Sequence, residues 1–172
     1  GNRGSNALGF EKYGWTGLCV EPQPKYVEEL RKTGRACIVE DVAIGRERGV
    51  EEFSIPLRSG KARFAMGGLS RLSFWGDVDG TVAQTYEVNV VPASTLLRKY
   101  GIRHIDFLSI DVEGAEQEVL ETIDFETTTV DVVCIETGSI LPGHFLLEQG
   151  FHVWRVVFSD VIMVHERFLT RV

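Results

Sequence analysis

Hydrophobic residues along the chain fall into short continuous runs rather than into alternating patterns. Such runs occupy residues 17–21, 36–41, 105–111 and 131–136, and they are rich in Val, Ile, Leu and Cys. Continuous apolar runs of this length are typical of parallel strands that are covered on both faces of a sheet. The pattern therefore predicts four buried strands.

Amphipathic segments separate these runs. One follows Pro24, which suits a first helical turn, and ends at Gly34, with its apolar side chains on one face. Another follows Gly114, where apolar residues recur at four-residue spacing. The alternation of strand and helix predicts an α/β fold.

Residues 42–93 depart from this alternation. The segments 51–57 (EEFSIPL) and 86–91 (YEVNVV) predict strands, and a long stretch with glycines and aromatic residues lies between them. A loop of that length without structure of its own is usually functional. We expect residues 59–77 to form a mobile lid over an acceptor site.

The C-terminal part predicts a hairpin. Residues 151–158 (FHVWRVVF) and 161–166 (VIMVHE) are separated by two residues only, which is too short for a parallel crossover. The predicted sheet is therefore mostly parallel, with an antiparallel strand late in the sequence.

Composition and charge narrow the class of protein. The chain has 172 residues, 44% hydrophobic, and a net charge of −7, which predicts one globular domain over residues 1–172. The acidic balance argues against nucleic acid as a partner. No apolar run approaches the roughly 18 residues that a membrane span needs, so no membrane partner is expected.

The three cysteines each sit inside an apolar run, which predicts buried thiols. Their odd number and predicted burial favour a reducing compartment such as the cytoplasm.

Carboxylates follow directly after three of the apolar runs, at Glu21, Glu40, Asp41, Asp111 and Glu113. Ligands of open α/β sheets bind beyond the carboxyl ends of the strands. Glu21 stands 17 residues after Gly4, close to the spacing at which an acidic residue accepts the ribose hydroxyls of a nucleotide. We expect Glu21 to bind a ribose and Asp41 an adenine amino group. A solvated loop position is the alternative for Glu21, and a helix N-cap is the alternative for Asp111.

Three residues are candidates for proton transfer. His144 is the one histidine that follows a predicted strand at the ligand edge, while Asp111 and Glu113 lie just beyond the strand 105–111. Asp111 and Glu113 could also hold a divalent cation on oxygen ligands, but we assign no metal on two carboxylates. Zinc-site spacings, nucleophile elbows and phosphate-binding glycine loops with lysine are absent from the sequence.

Residues 5–36 (SNALGFEKYGWTGLCVEPQPKYVEELRKTGRA) and 105–120 (IDFLSIDVEGAEQEVL) resemble the FkbM family of S-adenosylmethionine-dependent methyltransferases. The resemblance implies a Rossmann-like class I methyltransferase sheet, S-adenosyl-L-methionine as cofactor, and O-methylation of a small-molecule or sugar hydroxyl. The cofactor site that it implies comprises Gly4, Ser5, Asn6, Glu21, Pro22, Asp41, Val42 and Asp111.

Within that implied site, Glu21 would hold the ribose, Asp41 and Val42 would face the adenine, and Asp111 would approach the methionine end. The family's first strand would precede Gly1, so we expect this fragment to lack it between the strands that end at Glu21 and Asp111. Two other classes stay open. An NAD-dependent oxidoreductase would use Glu21 in the same ribose role, and a noncatalytic module would bind a partner through an exposed sheet edge.

Overall fold

A computed structural model of the chain describes residues 8–58, 61–63, 66–72, 82–136 and 143–169. Its helices are α1 (Leu8–Glu11), α2 (Pro24–Lys32), α3 (Ala93–Lys99), α4 (Glu116–Glu121), α5 (Gly143–Glu148) and α6 (Glu166–Leu169). Its strands are β1 (Leu18–Val20), β2 (Ile38–Glu40), β3 (Ala43–Ile44), β4 (Gly49–Arg58), β5 (Lys61–Ala62), β6 (Gly68–Leu69), β7 (Val82–Val91), β8 (His104–Ile110), β9 (Thr129–Glu136), β10 (Phe151–Val157) and β11 (Asp160–His165).

The first sheet is the parallel pair β1 and β2, in which Leu18 lies opposite Ile38. Helix α2 connects the two strands and buries Val27 and Leu30. It ends before Gly34, whose φ of 62° lies in the left-handed region that favours glycine. The two predicted strands and the helix between them are confirmed, but their predicted burial is wrong: β1 is half-buried and Ile38 of β2 is exposed.

The second sheet has the strand order β10-β11-β9-β8. Strands β8 and β9 are parallel, whereas β11 runs antiparallel to both β9 and β10. The predicted late hairpin is therefore confirmed. Helices α4 and α5 pack on this sheet and close its hydrophobic core, whose fully buried members include Leu120, Val130, Val133, Leu146, Phe151 and Met163.

The third sheet comprises β3-β7-β4-β5, with β6 also paired to β4. Leu69 of β6 is buried beside Phe53 in the core of this sheet, and Ser70 Oγ lies 2.6 Å from Ser54 Oγ. Residues 68–69 of the predicted lid are thus a strand of this sheet, so this part of the segment is not a loop without structure of its own. The predicted mobility over an acceptor site stays a prediction. Residues 59–60, 64–65 and 73–77 of the predicted lid lie outside the described residues.

Together, the described residues form a mixed α/β fold with three separate sheets. We expected one sheet, but the described part of the chain pairs β1 with β2 alone and β8 with β9 alone. Among the described residues, β1 and β8 therefore each pair along one edge only. None of the described helices has the length and apolar character that a membrane-spanning helix needs.

Candidate active site

Glu21 follows directly after β1, at the carboxyl end of the first sheet. Its backbone N–H donates to the carbonyl of Glu40 at 3.0 Å, and its Oε1 accepts a hydrogen bond from the backbone N–H of Gln23 at 2.8 Å. Burial raises the pKa of the Glu21 carboxyl, and the bond from Gln23 opposes that rise. No hydrogen bond from the described residues reaches Oε2. Glu21 is therefore an anchored, half-buried carboxylate whose Oε2 accepts no hydrogen bond from the described residues.

Two tyrosines stand close to Glu21. Burial, together with the negative charge of Glu21, raises the pKa of Tyr86 to about 12, and burial with the same charge raises the pKa of Tyr26. Tyr86 belongs to β7 and stacks against Phe53 with ring centroids 5.5 Å apart. The third sheet therefore contributes an aromatic side to the Glu21 site, which no sequence pattern indicated.

The second strand ends in two adjacent acids that the structure uses differently. Glu40 is nearly buried and accepts hydrogen bonds from the side chains of Lys99 and Tyr100, which lower its pKa. Asp41 is 60% exposed and lies 3.4 Å from Arg31 Nη2. Glu40 therefore joins β2 to the end of α3, while Asp41 remains at the surface.

An open groove of about 470 Å³ runs beside Asp41. Its lining combines α2 with β7 and includes Pro22, Arg31, Asp41, Val88 and Asn89. Two of the residues predicted to bind the cofactor, Pro22 and Asp41, are thus brought together. Val42, the next predicted residue, is half-buried between β2 and β3.

Three carboxylates cluster at the carboxyl ends of β8 and β9. Asp111, Glu113 and Glu136 place one oxygen each within 4.8 Å of the others. Burial, a hydrogen bond to Glu136 and the neighbouring negative charges raise the pKa of Asp111 to about 7. Burial and the charges of Glu136 and Glu116 raise the pKa of Glu113 to about 7. Near neutral pH, Asp111 and Glu113 are therefore each partly protonated.

The loop that presents Asp111 and Glu113 is held by Glu116. The Glu116 carboxylate accepts hydrogen bonds from the backbone N–H groups of Val112 and Gly114, at 3.3 and 3.0 Å for Oε1. Helix α4 has no side-chain cap at its N-terminus. The alternative of Asp111 as a helix cap is therefore wrong, and its carboxylate faces Glu136 instead.

The third sheet also supports this loop. A Cβ atom added to Gly68 would lie 3.2 Å from the carbonyl oxygen of Glu113, so the backbone of β6 passes in close contact. Next to it, Arg71 donates to the buried carboxylate of Glu118 at 2.7 Å and to Glu51 at 2.6 Å. The third sheet and the residues that follow β6 thus contact both α4 and the Asp111 loop and help to position them.

Comparison with known proteins identifies the family to which the chain belongs. A family model of the methyltransferase FkbM domain matches residues 1–160, which include both carboxylate sites. The chain belongs to the FkbM methyltransferase family. Searches of curated proteins and of solved structures find no match.

His144 lies apart from the acidic cluster of this FkbM domain. It begins α5 rather than lying in a loop, is 87% exposed, and faces Glu148 Oε1 at 3.6 Å. A surface pair at i and i+4 of this kind has little effect on stability. Gly4, Ser5 and Asn6 lie outside the described residues, so their predicted cofactor contacts stay predictions.

Glu136 is the site residue of the FkbM domain that our sequence reasoning missed. It ends the apolar run 131–136, so the signal that singled out Glu21 and Asp111 was present there too. With Glu136, the cluster has three carboxylates, a donor set that a hard divalent cation accepts. Protonation of Asp111 and Glu113 would also relieve the repulsion among the three carboxylates. We therefore assign no metal to the cluster.

Proposed function

We propose that this FkbM domain transfers a methyl group from S-adenosyl-L-methionine to a hydroxyl oxygen of a small molecule or sugar. The observation that carries the proposal is the Glu21 carboxylate at the carboxyl end of a parallel strand, where the Gln23 N–H anchors Oε1 and no described residue donates to Oε2. A carboxylate at that position suits the two hydroxyls of a ribose. The family match favours a methyltransferase over an oxidoreductase or a noncatalytic module.

The described residues fit such a cofactor in two respects. Glu21 would hold the ribose, with Pro22, Asp41 and Val42 near the adenine along the groove beside α2. Asp111 would attract the positively charged methionine end, because Glu113 and Glu136 add two further carboxylates within 4.8 Å of its own. When bound, the cofactor supplies an electrophilic methyl group on a sulfonium.

We also propose that the first and second sheets are parts of one Rossmann-like sheet. Strands β1 and β8 each have one unpaired edge in the described part of the chain. Helix α1, which leads into β1, packs Phe10 against Phe107 of β8 with ring centroids 4.8 Å apart. One further strand between β1 and β8 would satisfy both edges and bring Glu21 and Asp111 to the same side of a continuous sheet.

The chain's own contribution to the reaction is to align the acceptor and to take its proton. Alignment of a hydroxyl with the methyl group supplies a large part of the rate in displacement reactions. Glu113 is our proposed base, because its pKa of about 7 lies near neutral pH, where general bases work best. His144 is the less suitable candidate, since its side chain is exposed and pairs with Glu148 at the surface.

Titration calorimetry tests this function. We expect heat of binding with S-adenosylmethionine and none with NAD. Glu21→Gln should lower the affinity at least about tenfold, because hydrogen bonds to a charged acceptor contribute about 1.5–3 kcal/mol each. Glu29→Gln, on the exposed face of α2, is the matched control and should bind like wild type. Heat with NAD alone, or an unchanged affinity in Glu21→Gln, would contradict the proposal.

A further inference from the structure

Two of the three cysteines lie next to each other. Cys19 of β1 and Cys37, which immediately precedes β2, have their Sγ atoms 2.7 Å apart, and the Cys19 thiol donates to the Cys37 sulfur. Both side chains are partly exposed, whereas Cys134 is buried in β9. The expectation of three buried thiols is therefore wrong for two of them. Cys19 lies opposite Val39 of β2, and Cys37 precedes Val39 by two residues. Because side chains two residues apart along a strand point to the same face, Cys19 and Cys37 lie on one face of the sheet.

Charged groups surround the pair. Glu11 of α1 forms an ion pair with Arg35 and accepts the backbone N–H of Ala36 at 3.0 Å. One carboxylate oxygen of Glu11 also lies within 4.8 Å of both cysteine sulfurs. The positive charge of Arg35 lowers the pKa of the Cys37 thiol, while burial, Cys19 and the negative charge of Glu11 raise it.

We propose that Cys19 and Cys37 form a reversible disulfide by exchange with a small-molecule disulfide such as oxidised glutathione. The bond would join β1 to β2 directly beneath the carboxylates that end these strands. Disulfide formation needs sulfur atoms about 2.05 Å apart, so the two sulfurs would have to approach by well under 1 Å from their present positions.

The exchange balances in two steps. The Cys19 thiolate attacks one sulfur of oxidised glutathione, whose sulfur–sulfur bond breaks and releases one glutathione thiolate, which takes a proton. Cys37 then loses its proton to solvent, and its sulfur attacks the Cys19 sulfur and releases the second glutathione as a thiolate, which takes a proton. Two protein thiols are oxidised by two electrons in total, and one glutathione disulfide is reduced to two thiols.

The order of attack follows from the surroundings of Cys37. Burial, with the hydrogen bond and charge of Cys19, raises the pKa of the Cys37 thiol to about 12. Cys37 is therefore the poorer first nucleophile. Once Cys19 is bonded to glutathione it carries no charge, so its contribution to the raised pKa of Cys37 is removed, while burial and the charge of Glu11 remain.

Peptide mapping tests the bond on the unmodified chain. The protein is equilibrated with reduced and oxidised glutathione at a series of ratios, free thiols are alkylated, and tryptic peptides are weighed. Trypsin separates the three cysteines into residues 13–25, 36–46 and 104–155, so each pairing gives a distinct mass. Urea unfolding of the reduced variants Cys19→Ser, Cys37→Ser and Cys134→Ser verifies that each one folds.

We expect oxidising ratios to lower the number of alkylated thiols from three to one and to yield peptide 13–25 linked to 36–46, about 2 Da lighter than the sum of the two. The linked peptide should persist in Cys134→Ser and be absent from Cys19→Ser and Cys37→Ser. Three alkylated thiols at every ratio would overturn the proposal. So would glutathione retained on both Cys19 and Cys37 without a linked peptide.

Discussion

Glu136→Gln provides a sharp test of the acidic cluster. Glu136 contributes to the raised pKa of both Asp111 and Glu113, so its removal acts on the whole cluster. A folded-state pKa raised to about 7 means that the native protein holds protons there that the unfolded chain has released. The resulting stability is fully present below about pH 4 and is lost as the pH rises through about 7.

The size of the effect follows from Coulomb's law. Two unit charges 4.8 Å apart repel by about 0.9 kcal/mol in bulk water and by about 3.5 kcal/mol at an effective dielectric of about 20. Asp111 is exposed and Glu136 half-buried, so solvent screening places the repulsion in the lower part of that range. We expect Glu136→Gln to raise the free energy of unfolding by about 1–2 kcal/mol at pH 8.

At pH 5 the same substitution should have little effect, because Asp111 and Glu113 are then protonated in the native state. Urea unfolding at both pH values, followed by circular dichroism, measures the difference. Glu126→Gln, an exposed residue after α4, serves as the control and should change neither value. Equal destabilisation by Glu136→Gln at pH 5 and pH 8 would refute the assignment of a repulsive cluster.

Two further substitutions test the core and the proposed base. Leu120→Ala truncates a side chain with 0% exposure and should lower the free energy of unfolding, measured with urea, by about 2–5 kcal/mol. Leu147→Ala, at a half-exposed position, is the control and should change that free energy by no more than about 0.5 kcal/mol. Equal losses in the two variants would contradict the assigned core. Glu113→Gln should lower turnover on a verified acceptor by about 10² to 10⁴ while calorimetry shows unchanged cofactor affinity, whereas His144→Ala should leave turnover unchanged; the reverse pattern would make His144 the base.

The strands that the sequence predicted correctly are those that coincide with continuous apolar runs. The runs at 105–111 and 131–136 became β8 and β9 with nearly the same bounds, and the two-residue connection identified the β10–β11 hairpin. The same logic located Glu21, because a carboxylate just after a buried strand must lie at a sheet edge.

Other features depend on which helices and strands contact each other in the fold. The hydrophobic periodicity of a single segment does not predict its tertiary contacts. The pairing of β6 with β4, which turned part of the expected lid into sheet, is one such feature. Another is the contact between Cys19 and Cys37, which are 18 residues apart along the chain. The placement of His144 in α5 is a third, since a short helix of six residues leaves little amphipathic pattern.

A crystal structure of the protein with S-adenosylhomocysteine would test the central claim most directly. Our account predicts that both ribose hydroxyls lie about 2.5–3.0 Å from the carboxylate oxygens of Glu21, with the homocysteine end toward Asp111. The adenine should lie along the groove that Pro22 and Asp41 line. A ribose bound elsewhere on the protein, with the Glu21 carboxylate in solvent, would contradict the account.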